Sequence, residues 1–322
     1  MKLGLLISLY RDKPLEQVLD IAKSKGVEAI EIGAGGWGGK EHCNPELLLK
    51  DLDEYKKFEN TIKKSGLTVS AFSVHGNPIH PNKEIALGYD KDFKDAVLLA
   101  ERIGLDTLTC FSGCPGDSKD SHHPNWVTCP WPEWFLEILD YQWNEVMIPY
   151  WQETAEFAKQ HGVTKLAFEM HPGFCVYNPE TLLKLRKAVG DTIGANFDPS
   201  HLIWQGMDPV AAIRELKGAI FHCHAKDTKI DKYNVAKNGV LDTKHYSDEI
   251  NRAWVFRSVG YGNDMQYWRD MISNLRLCGY DNVLSIEHED SVMSIDEGLD
   301  KALYFLKQAI IKEEKPTTMA WA

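Results

Sequence analysis

Eight short apolar or β-branched runs recur along this chain, and between them lie segments whose apolar residues repeat at helical spacing. The runs fall at Leu3–Ser8, Ala29–Gly33, Thr68–His75, Thr107–Ser112, Lys165–Met170, Gly194–Asp198, Ala219–His224 and Val283–Glu287. Helices are predicted at Pro14–Lys25, Pro45–Lys64, Phe93–Ile103, Val146–His161, Pro179–Val189, Pro209–Leu216, Met265–Leu277 and Ile295–Ile311. Strands that alternate with helices must pair in parallel, and each crossover is right-handed. Eight such units predict an α/β fold, a single (β/α)8 TIM barrel. A doubly wound open sheet is the alternative, but no glycine-rich phosphate loop follows the first strand.

Punctuation agrees with this reading. Gly26, Gly66, Gly104, Gly162, Gly190, Gly218 and Gly279 each fall where a helix should stop before the next strand. Asn178-Pro179 and Asp208-Pro209 read as N-cap and first-turn pairs. Two irregular stretches, Gly113–Trp134 after strand four and Thr228–Tyr261 after strand seven, exceed ordinary connections. Both follow the C-terminal end of a strand, where barrel active sites lie. The barrel is placed at residues 1–312 and a C-terminal extension at 313–322.

Alternate residues of a strand share a face. In "KLAFEMHPG" the greasy Leu166, Phe168 and Met170 should face the helices, which turns Glu169 and His171 inward. Strand six puts Asn196, Asp198 and Ser200 in register. Strand seven does so for His222, His224 and Lys226, and strand eight for Ser285, Glu287 and Glu289. Four successive strands thus deliver Glu169, Asp198, His224 and Glu287 near their C-terminal ends. A lone acid there is ordinarily a cap or a surface residue. Three crowded carboxylates repel one another unless a cation sits between them. Carboxylate oxygens with one imidazole suit Mn²⁺ above all, with Mg²⁺, Zn²⁺ or Co²⁺ as alternatives. Glu31 and His75 are expected to reach the mouth from the opposite side. His222 lies deeper than His224, as support or core, and Lys226 higher, towards substrate.

These residues sit in "FEMHPG", "NFDPSH", "HCHAKD" and "SIEHED", with "VGYGND" before the penultimate helix. From strand two to strand eight the pattern resembles the xylose isomerase-like TIM-barrel superfamily of sugar isomerases and epimerases, which includes tagatose and psicose 3-epimerases. The resemblance implies that Glu169, Asp198, His224 and Glu287 are the metal ligands, with Glu169 and Glu287 also handling protons on opposite faces of a substrate carbon. It implies that His201 and a late arginine bind substrate oxygens. Epimerases of this type carry that arginine soon after the strand-seven histidine, where this chain has Lys226 and Lys229, so Arg257 is the candidate. The Glu169-x-His171 pair followed by Pro-Gly also resembles the large subunits of bacterial C-glycoside deglycosidases. In that reading His171 is the base, with a pKa near neutrality. A small β-sandwich partner subunit becomes possible, and an oligomer is expected.

The expected activity is therefore divalent-metal-dependent isomerisation or epimerisation of an unphosphorylated sugar or keto-sugar, by proton abstraction beside a polarised carbonyl. The alternative is a lyase or deglycosidase that releases the aglycone of a 3-keto glycoside from the same site. No phosphate-binding loop argues for a phosphorylated substrate. Trp126, Trp131, Trp134, Trp204 and Trp254 fall near the presumed mouth, where aromatic rings stack on sugars or anchor loops, and Trp126 is the substrate-binding candidate.

Composition narrows the rivals. A formal net charge of −11 and no basic run leave no footprint for nucleic acid, which weighs against an apurinic endonuclease on this barrel. A non-catalytic sugar-binding barrel would have no use for three convergent carboxylates. "MKLGLLISLYRDK" is too short and too charged for a membrane span and reads as a first strand. Seven scattered cysteines without a C-x-x-C pair suit reduced thiols, and a cytoplasmic location is expected.

Overall fold

The computed structural model describes residues 1–314. Its elements in chain order are β1 (Lys2–Leu6), α1 (Leu15–Ser24), β2 (Ala29–Gly33), α2 (Pro45–Lys50), α3 (Leu52–Ser65), β3 (Thr68–Ser73), α4 (Lys83–Ile103), β4 (Thr107–Cys110), α5 (Trp134–Asp140), α6 (Ile148–Gln160), β5 (Lys165–Glu169) and α7 (Pro179–Val189). There follow β6 (Ile193–Phe197), α8 (Pro199–Trp204), α9 (Pro209–Glu215), β7 (Ile220–Ala225), β8 (Asp227–Ile230), α10 (Lys232–Asn238), β9 (Trp254–Arg257), α11 (Met265–Leu277), β10 (Val283–Ile286) and α12 (Ile295–Ala309). The parallel strands close in the order β1-β10-β7-β6-β5-β4-β3-β2, the barrel expected from the alternation. The extension expected at 313–322 lies, from residue 315 on, outside the described residues.

Local chemistry places these elements. Asn178 and Thr181 form a reciprocal capping box at α7, and Asp208 caps α9 by accepting from Ala211 N at 2.9 Å. Gly66 and Gly104 end α3 and α4 with φ of 72° and 75°, a left-handed cap that a side chain would strain. Outward residues pack on the helix layer: the Phe168 ring meets Trp151 of α6 edge-on at 4.6 Å, and Trp151 donates to Ser112 O at 2.9 Å.

Two helices run longer than the periodicity predicts. α4 begins ten residues before Phe93, because Asn82 caps it and the pairs Lys91–Asp95 and Lys94–Asp90 support a first half with no apolar stripe. α5 and α6 form one rod through a π-helical turn at Tyr141–Met147, just ahead of Pro149, whose ring and missing N–H disfavour regular α geometry.

The second long stretch is not irregular. β8 and β9 pair antiparallel, with Asp227 opposite Arg257, and carry α10 and a loop above the barrel. This insert has its own small core, in which Trp204 of α8 stacks on Trp254 at 4.4 Å and buried Arg252 lies over the rings of Tyr246 and Trp254. Its root is tied by Asp227, whose buried carboxylate accepts six hydrogen bonds. Gly260 N, Gly262 N, Asn263 N and Trp268 Nε1 donate to Oδ2, and Thr228 N and Asn263 Nδ2 to Oδ1. "HAKD" and "VGYGND" are thus two halves of one joint.

Candidate metal centre and active site

Glu169 ends β5, Asp198 follows β6, His224 lies in β7 and Glu287 follows β10. One potential ligand atom from each lies within 4.8 Å of the others. An ion held about 2.0–2.4 Å from each ligand needs that spacing. Asp198 divides its carboxylate. Oδ1 caps α8 by accepting from Ser200 N at 2.8 Å, while Oδ2 is buried and accepts no directed hydrogen bond. A buried orphan oxygen is costly unless a cation meets it. Lys226 Nζ lies 3.0 Å from it, 2.8 Å from Glu287 Oε2 and 3.1 Å from Glu289 Oε2. The spacing and the donor set of three carboxylates and one imidazole fit a divalent cation, with Lys226 balancing the charge left over.

Electrostatics agree. Burial alone would raise the pKa of Glu169, but hydrogen bonds to His201, His224 and His75 hold it well below the usual range. Glu287 is likewise driven down against its burial, by Lys226 and His224. His224 goes the other way. Burial disfavours its charge, yet Glu31, Glu287 and Glu169 raise its pKa well above the ordinary value. The carboxylates around His224 thus favour positive charge at this point of the pocket.

Beneath the ligands, the barrel floor fixes their orientation. His224 turns Nδ1 to Glu169 and Glu287, at 3.2 and 3.0 Å, and Nε2 to Glu31 at 2.9 Å. Glu31 is fully buried and accepts from Thr109 Oγ1 at 2.6 Å and Ser285 Oγ at 2.9 Å. Carboxylates behind a ligating imidazole fix its orientation and raise its basicity. Asn196 Nδ2 reaches Glu169 at 3.3 Å, and His222 bridges Asn196 and Ser70 at 3.1 and 3.2 Å. The strand register shifts at Ile30/Glu31 and again at Ala195/Asn196, so extra residues on the partner strands re-aim side chains beside this floor.

Other predicted residues divide. His75 and His201 flank Glu169, at 3.2 Å from Oε2 and 3.0 Å from Oε1. His171 stands beside them, its ring 4.1 Å from that of His201. Burial and His201 push its pKa down to about 3, not to the near-neutral value expected of a base, so it is a neutral imidazole at pH 7. Arg257 does not line the mouth. Its guanidinium pairs with Glu249 at 2.9 Å and Asp290 at 3.4 Å, tying the insert to the segment after β10. Trp126 is also displaced, because the segment after β4 turns outward. It packs edge-on against Tyr177 and lines a separate cleft with Trp143 and Lys184. Trp131 and Trp134 are exposed.

The sequence profile of the family described as "Xylose isomerase-like TIM barrel" matches residues 19–309. The chain belongs to this family. The uncharacterized protein YfiH of Bacillus subtilis (strain 168) is 39% identical over 313 residues, which is 96% of this chain and 99% of that protein. Among solved structures, a D-tagatose 3-epimerase-like protein superposes with a TM-score of 0.63 at 20% identity, covering 96% of this chain and 98% of the other. IolI with a bound zinc atom gives 0.64 at 16%, with the same coverage. Identities this low establish the fold alone. No helix among the described residues is long and apolar enough to cross a membrane.

In this xylose isomerase-like barrel the mouth holds two cavities that the sequence reading did not anticipate. A smaller one of about 250 Å³ reaches the ligands, with His75, Glu169 and Glu287 in its wall and Arg11 at its rim. A larger one of about 630 Å³ lies beside it, lined by aromatic residues from four loops, Trp37, Phe111, Phe174 and Tyr246 among them. Trp37, Phe111 and Glu289 line both. The signal for Trp37 was its place in "GAGGWGGK", a glycine run that lets the loop press onto β3. A Cβ on Gly36 would meet the His75 carbonyl oxygen at 1.9 Å.

Proposed function

We propose that this chain is a divalent-metal-dependent sugar isomerase or epimerase, acting on an unphosphorylated sugar or keto-sugar by moving a proton on a carbon next to a carbonyl. The observation that carries the proposal is the convergence of Glu169, Asp198, His224 and Glu287 within 4.8 Å at the C-terminal mouth of the barrel. A divalent ion held by these four residues, Mn²⁺ first among candidates, would polarise a substrate carbonyl and would stabilise the negative oxygen that develops when the neighbouring C–H is lost.

The chain's own residues supply the rest. Glu169 and Glu287 project from β5 and from the residue after β10, on different sides of the ring of strands. One takes the proton and the other returns one, to the opposite face for epimerisation or to the next carbon for isomerisation. Both have depressed pKa values and so are carboxylates at neutral pH. His75 and His201 flank Glu169 and are the donors for substrate hydroxyls or the carbonyl oxygen. Lys226 offsets the carboxylates, so the pocket does not expel a substrate whose oxygen is gaining negative charge.

Elimination is the second reading, favoured by His171. This neutral imidazole lines the larger cavity, next to the metal-side residues, and lies outside the set of Glu169, Asp198, His224 and Glu287. A 3-keto glycoside would lose the C–H proton next to its carbonyl to His171, and the resulting electron pair would form a C=C bond as the bond to the aglycone breaks. The aglycone would leave with the pair of that broken bond and take a proton back from His171 or solvent. One experiment separates the readings: incubation of the Mn²⁺-loaded protein with ketohexoses and with 3-keto glycosides in deuterated buffer. Deuterium in recovered sugar without a free aglycone supports epimerisation or isomerisation, and released aglycone supports elimination. Neither product from any of these substrates sinks both.

A further inference from the structure

Three thiols have no part in the chemistry just described. Cys114 lies on the segment after β4 and Cys175 on the segment after β5, both buried and both free, whereas Cys129 is exposed. The cleft that holds Trp126, separate from the two mouth cavities, has a volume of about 340 Å³, and Cys129 and Cys175 both line it.

Backbone hydrogen bonds hold Cys114 and Cys175 side by side. Cys175 N donates to Gly113 O at 3.0 Å, and Val176 N donates to Ser112 Oγ at 2.9 Å. Asn77 clamps the Cys114 backbone, donating from Nδ2 to Cys114 O at 2.9 Å and accepting at Oδ1 from Cys114 N at 3.0 Å. The two side chains then meet. Contact with Cys114, and after it burial, pushes the Cys175 thiol well above its ordinary pKa. A protonated thiol is a weak nucleophile, so oxidation of this pair is slow and calls for sustained exposure to a peroxide.

The turn in which Cys175 lies is the one that carries His171. Phe174 N donates to His171 O at 3.1 Å and His171 N to Val176 O at 3.2 Å, so residues 171–176 close on themselves as one unit. His171 and Phe174 both line the larger mouth cavity. A disulfide of about 2.05 Å is far shorter than any non-bonded contact between sulfurs, so forming one draws that unit towards the end of β4.

We propose that Cys114 and Cys175 are a redox modification site, joined by a peroxide in a reversible disulfide that fastens the His171 turn to the segment after β4. The Cys175 sulfur, reached from the cleft, gives its proton to water and attacks one peroxide oxygen. The O–O bond breaks, and the departing hydroxide takes up a proton. Cys114 then attacks the sulfur of the sulfenic acid so formed, the S–S bond closes, and a second hydroxide leaves with the Cys114 proton. Two thiols and one hydrogen peroxide become one disulfide and two waters, each sulfur losing one electron and each peroxide oxygen gaining one. Excess small thiol reverses the bond by exchange.

The test treats the full chain with hydrogen peroxide, alkylates the remaining thiols and maps the cysteines by mass spectrometry. It is run on the wild type and on Cys129→Ser, which removes the exposed competitor. The expected result in both is a peptide pair joined through Cys114 and Cys175 and released by dithiothreitol. Backbone amides within residues 171–176 should exchange with deuterated solvent at least about 10-fold more slowly in the oxidised protein, and recover on reduction. Cys114→Ser and Cys175→Ser should each abolish both the bond and the slowing. Cys114 and Cys175 left free in the wild type, a bond from either to another cysteine in place of the pair, or irreversible sulfinic acid on Cys175 overturns the site. A Cys114–Cys175 bond with unchanged exchange at 171–176 overturns its hold on the turn.

Discussion

Replacing Glu31 by glutamine tests whether the floor of the site tunes its metal. The substitution keeps shape and removes one charge from a fully buried carboxylate that faces His224 Nε2 at 2.9 Å. Losing the carboxylate behind a ligating histidine costs about 10- to 100-fold in metal affinity, or about 1.4–2.7 kcal/mol. A second effect has the opposite sign. Glu31 is among the groups that raise the pKa of His224, and a proton on His224 competes with the metal. The variant's histidine deprotonates more readily, so proton competition weakens. At about pH 6 the two effects partly cancel, while at about pH 8 mainly the loss of orientation and basicity remains. Calorimetric titration with Mn²⁺ should therefore find the variant weaker than wild type, with a gap that widens as pH rises. Thr109 and Ser285 donate to the same carboxylate, so an amide leaves at least one donor without an acceptor. A stability loss of about 1–3 kcal/mol is expected alongside. Equal Mn²⁺ affinity at about pH 8 in a folded variant would refute the orienting role of Glu31.

Glu169→Gln and His224→Ala should each lower turnover by at least about 100-fold, the low end for loss of a positioned acid–base group, and His224→Ala should also lose bound metal by elemental analysis. Full activity in both would mean the site is misplaced. In the wild type, Mn²⁺ affinity should rise with pH, because the raised pKa of His224 puts its proton in competition with the ion over the neutral range. A pH-independent affinity contradicts that. Asp227→Ala strands donors from both halves of the joint at the root of the insert and should cost about 3–5 kcal/mol in urea unfolding. A loss below about 1 kcal/mol would deny the joint its role.

The convergence of Glu169, Asp198, His224 and Glu287 was legible because strands have a fixed period and the barrel has one open end. Once Leu166, Phe168 and Met170 were assigned to the helix layer, Glu169 had to point inward, and the same logic delivered Asp198, His224 and Glu287. Loops have no such period. Nothing in "GCPGDSKDSHHPNW" indicates that its chain turns outward and carries Trp126 away from the mouth, nor does "GAGGWGGK" alone say that Trp37 turns over it. Arg257 was misplaced for a related reason. Distance along a long insertion does not report the antiparallel return through β9 that pairs it with Glu249. The pKa of His171 was beyond reach as well, since it is set by burial and by His201, which lies thirty residues on in sequence but 4.1 Å away in space.

The carboxylate of Asp227 separates two tasks that most active sites entangle. The chain leaves the barrel along β8 and returns along β9 at the same place, and the return is clamped to the departure point. Whatever lies between, from Asp231 to Ala253, is a detachable cassette on a two-stranded stalk. Its tip carries Tyr246 to the cavity wall, so the insert shapes the mouth from a root fixed beside β7. The mouth is thereby built from two separable parts, a barrel that holds Glu169, Asp198, His224 and Glu287 and an insert that supplies Tyr246, Val255 and Phe256 to the cavity beside them.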